Sequence, residues 1–153
     1  MDINEWVNLF GKSADDPLVR DAVAKAGITK PLKIGRNELG VRADIKGQGM
    51  TIVFSDETLL NPDNGVARRP ILSAVMAVVE GSDKNNLYKG TLPQNLKKSD
   101  SQAAVRARLG APTDSNDFNQ TDAWLIDDLI LAVSFTEDLT SIIQVSLAHP
   151  DSN

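Results

Sequence analysis

At 153 residues the chain is long enough for one domain that buries roughly two-thirds or more of its unfolded surface without metal or disulfide support. Hydrophobic residues make up 41% and charged residues 24%, which excludes a disordered chain, and the absence of cysteine removes disulfides, thiolate nucleophiles and cysteine-type zinc sites. A net charge of −5 argues against nucleic acid as a partner, because neutralising phosphates requires a basic surface.

The start, Met1-Asp2-Ile3-Asn4-Glu5-Trp6, has neither the basic end nor the apolar run of a signal peptide, and no segment reaches the length of a membrane span. A cytoplasmic protein without membrane contact is expected. Trp6, Val7 and Phe10 share one face of a short helix that Gly11 ends. A second helix follows, with Ser13 or Asp15 as cap, Pro17 in the first turn, and Leu18, Val19, Ala22, Val23 and Ala26 at helical spacing before Gly27. Two alternating runs then predict a hairpin: Leu39, Val41, Ala43 and Ile45, a Lys46-Gly47-Gln48-Gly49 turn, and Met50, Ile52 and Phe54.

Turn formers fill Asp56 to Arg69, and the continuous apolar run Ile71 to Val79 reads as a strand covered on both faces. Residues 81–93 form a polar connection. Ser99 or Asp100 then caps a helix through Ala103, Ala104, Val105, Ala107 and Leu109, which Gly110 and Pro112 terminate. Residues 111–121 read as a loop, followed by strands at Ala123 to Ile126, Leu129 to Phe135 and Ser141 to Ala148.

The halves resemble one another. Ala22-Val23 matches Ala104-Val105, Ala26-Gly27 matches Leu109-Gly110, and Ile52-Val53-Phe54-Ser55-Asp56 matches Val133-Ser134-Phe135-Thr136-Glu137, all about 82 positions apart. The predicted fold is therefore α+β: one domain over 1–153, with pseudo-repeats at about 13–80 and 90–148. Each repeat supplies a helix and three antiparallel strands, and the six strands form one sheet with helices on one face.

Several residues of the second half carry a family resemblance: Gly90-Thr91-Leu92-Pro93, then Val105-Arg106-Ala107-Arg108-Leu109-Gly110-Ala111-Pro112, Trp124, and Leu131 to Phe135. This pattern resembles the helix-and-three-strand unit of the β-lactamase-inhibitory-protein and SmpA/OmlA lipoprotein type, and the tandem arrangement is similar to the inhibitory proteins, whose concave sheet holds a target enzyme. Small acidic proteins with such a second half also resemble immunity proteins of bacterial toxin, contact-dependent and type VI secretion systems. The resemblance covers 90–148 well and 15–80 loosely, and the chain lacks the lipobox cysteine of the lipoprotein branch. It implies an inhibitor that binds a cognate toxin, or alternatively an envelope scaffold or other protein-interaction module.

Residue chemistry agrees with a binding role and no cofactor. His149 is the single histidine and lies near the C-terminus; without a Gly-x-Ser-x-Gly elbow or a second imidazole, no nucleophile–base pair is legible, so no catalytic residue is assigned. Asn61-Pro62-Asp63-Asn64-Gly65 lacks the spaced ligands of a calcium loop, and Gly35, Gly40, Gly47 and Gly49 precede no helix that would cradle phosphate. Arg68-Arg69 is a candidate for gripping a carboxylate or phosphate, or else a solvated pair.

Charge distribution is more telling. Beyond Arg108 there is no lysine or arginine, only acids. The residues expected to contact a basic partner surface are Asp114, Asp117, Phe118, Asp122, Asp127, Asp128 and Asp138, with Phe118 as an exposed anchor and Trp6 and Trp124 in the core.

Overall fold

A computed structural model describes residues 1–151. Helix α1, Ile3–Val7, opens on a capping box in which Asp2 accepts from the Glu5 N–H and Glu5 accepts from the Asp2 N–H. Helix α2, Pro17–Lys25, is capped by Asp16, which accepts from the Leu18 N–H, rather than by Ser13 or Asp15. Ser13 instead bridges to Ile71. Gly27, at φ 78°, follows the helix end as expected.

Strands β1, Gly40–Ile45, and β2, Met50–Asp56, form the predicted hairpin. Its turn glycines, Gly47 and Gly49, have positive φ and each donates an N–H to Asn86 Oδ1 at 2.9 Å, so a side chain from the distant connection clamps the turn. The turn-rich 57–69 stretch contains a short helix α3, Glu57–Leu60, and leads into β3, Pro70–Val78. Helix α4, Gln102–Leu109, is capped by Ser101 rather than by Ser99 or Asp100, and the Asp100 carboxylate instead binds the Lys97 N–H and Arg108.

Strands β4, Asp114–Asn116, β5, Thr121–Ile126, β6, Leu129–Phe135, and β7, Ile142–Ala148, complete one seven-stranded antiparallel sheet in the order β1-β2-β3-β7-β6-β5-β4. The seventh strand, β4, lies inside the stretch read as a loop. All three of its residues are exposed and polar, so it has no apolar alternation to betray it.

The strand order mirrors about β3·β7: β1-β2-β3 on one side, β5-β6-β7 on the other. Detail repeats as well. Register slips opposite Val53/Phe54 in the β2·β3 pair and opposite Ser134/Phe135 in the β6·β7 pair, leaving Ser73 and Ile143 as the extra residues. The Ile143 carbonyl accepts from Val79 N–H and the Ser73 carbonyl accepts from His149 N–H, both at the ends of the β3·β7 ladder. Buried side chains of α1, α2 and α4 join Ile52, Phe54, Val75, Val133, Phe135 and Val145 in one core. The alternate residues of the central strands, among them Ala74, Met76, Ala132, Gln144 and Ser146, are half-buried, so β3 is less fully covered than its continuous apolar run suggests.

Candidate functional site

Strand alternation decides which acidic residues are available. On β5, Asp122 and Trp124 point to the core, while Thr121, Ala123 and Leu125 share the opposite face. Asp122 is 0% exposed, and Arg106 of α4 binds it through Nε at 2.8 Å and Nη2 at 2.9 Å, with Ser115 Oγ donating at 2.7 Å. The Arg106 guanidinium holds the Asp122 carboxyl below its ordinary range against the opposing effect of burial. Assignment of Asp122 to a partner-binding surface is therefore corrected: its oxygens are committed to fastening α4 to β4 and β5.

Trp124 has an analogous internal job. Its indole N–H donates to the Gly110 carbonyl at 3.0 Å, tying the sheet to the residue that ends α4 at φ 87°. The Leu-Gly-x-Pro and tryptophan pattern thus has a local physical reason, independent of any partner. Trp6 is likewise buried.

Phe118 occupies the other extreme at 95% exposure, the highest of the large hydrophobics in the described chain. It sits in the β4–β5 turn, and the turn is braced: Phe118 N–H donates to Asn116 Oδ1 at 3.0 Å, and the Gln120 amide donates to the carbonyls of Asp117 and Phe118 at 3.2 and 3.3 Å. Gln120, at φ 52°, accepts from the Phe135 N–H, which anchors the turn to β6. Asp114 and Asp117 stand exposed on the same hairpin.

The remaining acids divide between two ends of the sheet. Asp138 lies in the β6–β7 turn, at the Phe118 end, with its carboxylate lowered first by the Thr136 hydroxyl and then by Thr140. Asp127 and Asp128 form the two-residue β5–β6 turn at the far end, both at positive φ and exposed. One partner pocket cannot take Phe118 and the Asp127-Asp128 turn together; a large surface is needed to span both.

Leu125, 59% exposed on the outer face of β5, was missed by the sequence reading, as were the lysines near the 87–98 connection. That connection borders an apolar groove of about 520 Å³ with Val79, Tyr88, Leu92 and Leu96 in its floor. Tyr88 is held inside by accepting from Ile3 N–H and donating to the Thr91 carbonyl, and burial raises its phenol above the usual value. Beside the groove, Glu80 binds Lys84 and Lys98, which pull its pKa down to about 2.

The extra-residue position Ser73 is fully buried and its hydroxyl meets Ser55 Oγ at 2.7 Å, a pair that satisfies polar groups inside the sheet. His149 continues the central strand β7, its N–H bound to the Ser73 carbonyl and its Nδ1 accepting from Asp151 N–H, so it is tied to the end of the β3·β7 ladder. Arg69 lies 3.7 Å from Glu57, and the Asn61 to Gly65 stretch is a tight turn in which a Cβ at Gly65 would strike the Asn61 and Glu57 carbonyls at 2.6 Å. Among the described residues there is no cluster of three or more His, Cys, Asp or Glu able to hold a metal, and no helix long and apolar enough to cross a membrane. No protein-family model, curated protein or solved structure matches the chain.

Proposed function

We propose that the chain is a non-catalytic, immunity-type inhibitor that acts in the cytoplasm, binding a cognate protein toxin and covering its active surface. The observation that carries this reading is Phe118, 95% exposed on an internally braced hairpin that also exposes Asp114 and Asp117. A fully solvated phenyl ring contributes nothing to the core, while a turn held by its own side chains loses little entropy when the ring is buried by a partner. The exposed acids of the second half, with no lysine or arginine after Arg108, suit a partner with a basic surface and favour fast encounter.

We further infer that the two three-strand meanders descend from a tandem duplication, with the helices on one face and the other face left as a platform of small residues such as Ala74, Ala132 and Ser146. Matched extra residues at Ser73 and Ile143, and the reciprocal bonds of Val79 and His149, support that origin.

The test is capture of neighbouring gene products by the tagged chain, with rescue of cells expressing each product. The reading expects one product to be toxic, to be neutralised by the chain, and to escape when Phe118→Ala is combined with Asp117→Lys. Absence of rescue and of a tight complex for every neighbour overturns it; rescue untouched by the double variant removes the hairpin from the site.

A further inference from the structure

The hairpin and the groove carry opposite charges, and the hairpin is not part of the groove's own lining. Phe118 projects fully into solvent directly after Asp117, with Asp114 exposed further along the same hairpin. The groove has room for a phenyl ring, at about 520 Å³, above the floor of Val79, Tyr88, Leu92 and Leu96. Lys89, Lys97 and Lys98 line it. Glu80 already engages Lys98 and Lys84, which leaves Lys89 and Lys97 as the exposed cations facing an incoming acid.

The groove wall is stiff. Gln94 and Asn95 are consecutive non-glycine residues at φ 56°, and Arg108 of α4 binds both of their carbonyls while also meeting Asp100. Backbone held in that region is strained and persists only where neighbours enforce it. A wall fixed in advance receives a side chain without first having to order.

We propose that a second copy of this chain occupies the groove, its Phe118 entering the apolar floor and its Asp114 and Asp117 meeting Lys97 and Lys89. The topology permits the reciprocal exchange that a two-fold dimer requires. The C-terminal end of β3, which leads into the groove, and the β4–β5 turn lie at the same end of the sheet. β3 and β5 are three strand spacings apart, about 14 Å. Two molecules meeting end to end can each offer a hairpin to the other's groove, which closes the assembly; a non-reciprocal contact would propagate into a chain of molecules. This self-association requires no toxin, and it shields the same phenyl ring that a target would use, so dimer and target complex exclude one another.

The experiment is sedimentation velocity on the purified chain over a concentration series at low and high salt. Concentration-dependent dimerisation is expected, weakening at high salt as the aspartate–lysine attraction is screened. Phe118→Ala should weaken it about 30-fold, the loss typical of a buried aromatic anchor. Lys89→Glu/Lys97→Glu and Asp114→Lys/Asp117→Lys should each be monomeric alone and form a heterodimer when mixed, because mixing restores opposite charges at both contacts. All these positions are exposed, and circular dichroism verifies that each variant is folded. A wild-type chain that stays monomeric at every concentration, a dimer indifferent to Phe118→Ala, or two charge variants that fail to associate overturns the proposal. None of these outcomes alters the capture experiment, and failure of capture leaves the dimer measurement intact.

Discussion

In the first meander the inward positions of the outer strand are Ala43 and Ile45, paired with Ile52 and Met50; in the second they are Asp122 and Trp124, paired with Val133 and Leu131. The backbone plan is shared, down to the extra residues opposite Phe54 and Phe135. The fastening of the helix above it is not. Nothing in the first half resembles the Arg106–Asp122–Ser115 cluster or the Trp124–Gly110 bond, whereas the second uses both to hold α4, a helix with a single fully buried side chain, Val105. A helix with little apolar surface to bury relies on directed polar contacts, whereas α2, with Val19, Ala22 and Val23 buried, relies on packing.

That contrast can be broken at its shared part first. Phe54→Ala and Phe135→Ala remove fully buried rings from matched positions, and each is expected to cost about 3–5 kcal/mol in urea denaturation. Costs that differ by much more than the usual scatter between cavity mutants would show that the two core sites are not equivalent.

Next in size is the part that differs. Arg106→Ala leaves Asp122 buried without its guanidinium and is expected to cost about 2–3 kcal/mol, discounted from a fully buried pair because the Arg106 side chain is 39% exposed. The sign with pH is set by the lowered Asp122 pKa. The pair's contribution is fully present above the unfolded carboxylate value of about 3.9 and is lost as pH falls through the folded value. The gap between wild type and Arg106→Ala in thermal denaturation should therefore be constant near neutrality and narrow below about pH 4.

A smaller effect sharpens the comparison of turns. The first meander reverses through a glycine-containing turn; the second uses Asp127 and Asp128, both in left-handed backbone. Asp128→Gly relieves a strained position and removes one of two adjacent charges, and should stabilise the fold by about 1 kcal/mol in denaturant titration. Smallest of all, Phe118→Ala should shift stability by less than about 0.5 kcal/mol while weakening self-association about 30-fold, which separates a binding residue from a folding one.

Much of this arrangement was legible in the residues. Alternation gave the hairpin at Gly47 and Gly49, and the Ile52 to Asp56 match with Val133 to Glu137 anticipated that β2 and β6 occupy mirrored positions. Asp122 could have been read correctly: residues two apart share a strand face, so assigning Trp124 to the core assigns Asp122 there too. Its partner could not, because Arg106 meets it only through tertiary packing of α4 on β5. Strand β4 escaped because Asp-Ser-Asn has no apolar residue to alternate, and the groove lysines because Val79 and Leu96 converge from segments separated by a long connection.

The β3·β7 seam has a consequence for the order of assembly. Every other strand pair in the sheet joins neighbours in the sequence, and each can form by closing a short loop. β3 and β7 are separated by the whole interval from 79 to 141, and bringing them together carries the largest loop-closure entropy in the sheet. Two half-sheets should therefore appear early in refolding and zip together last at Met76 and Ser146. Pulse-labelled hydrogen exchange would register that sequence as late protection of the seam amides, after those of β2 and β6 are already slow.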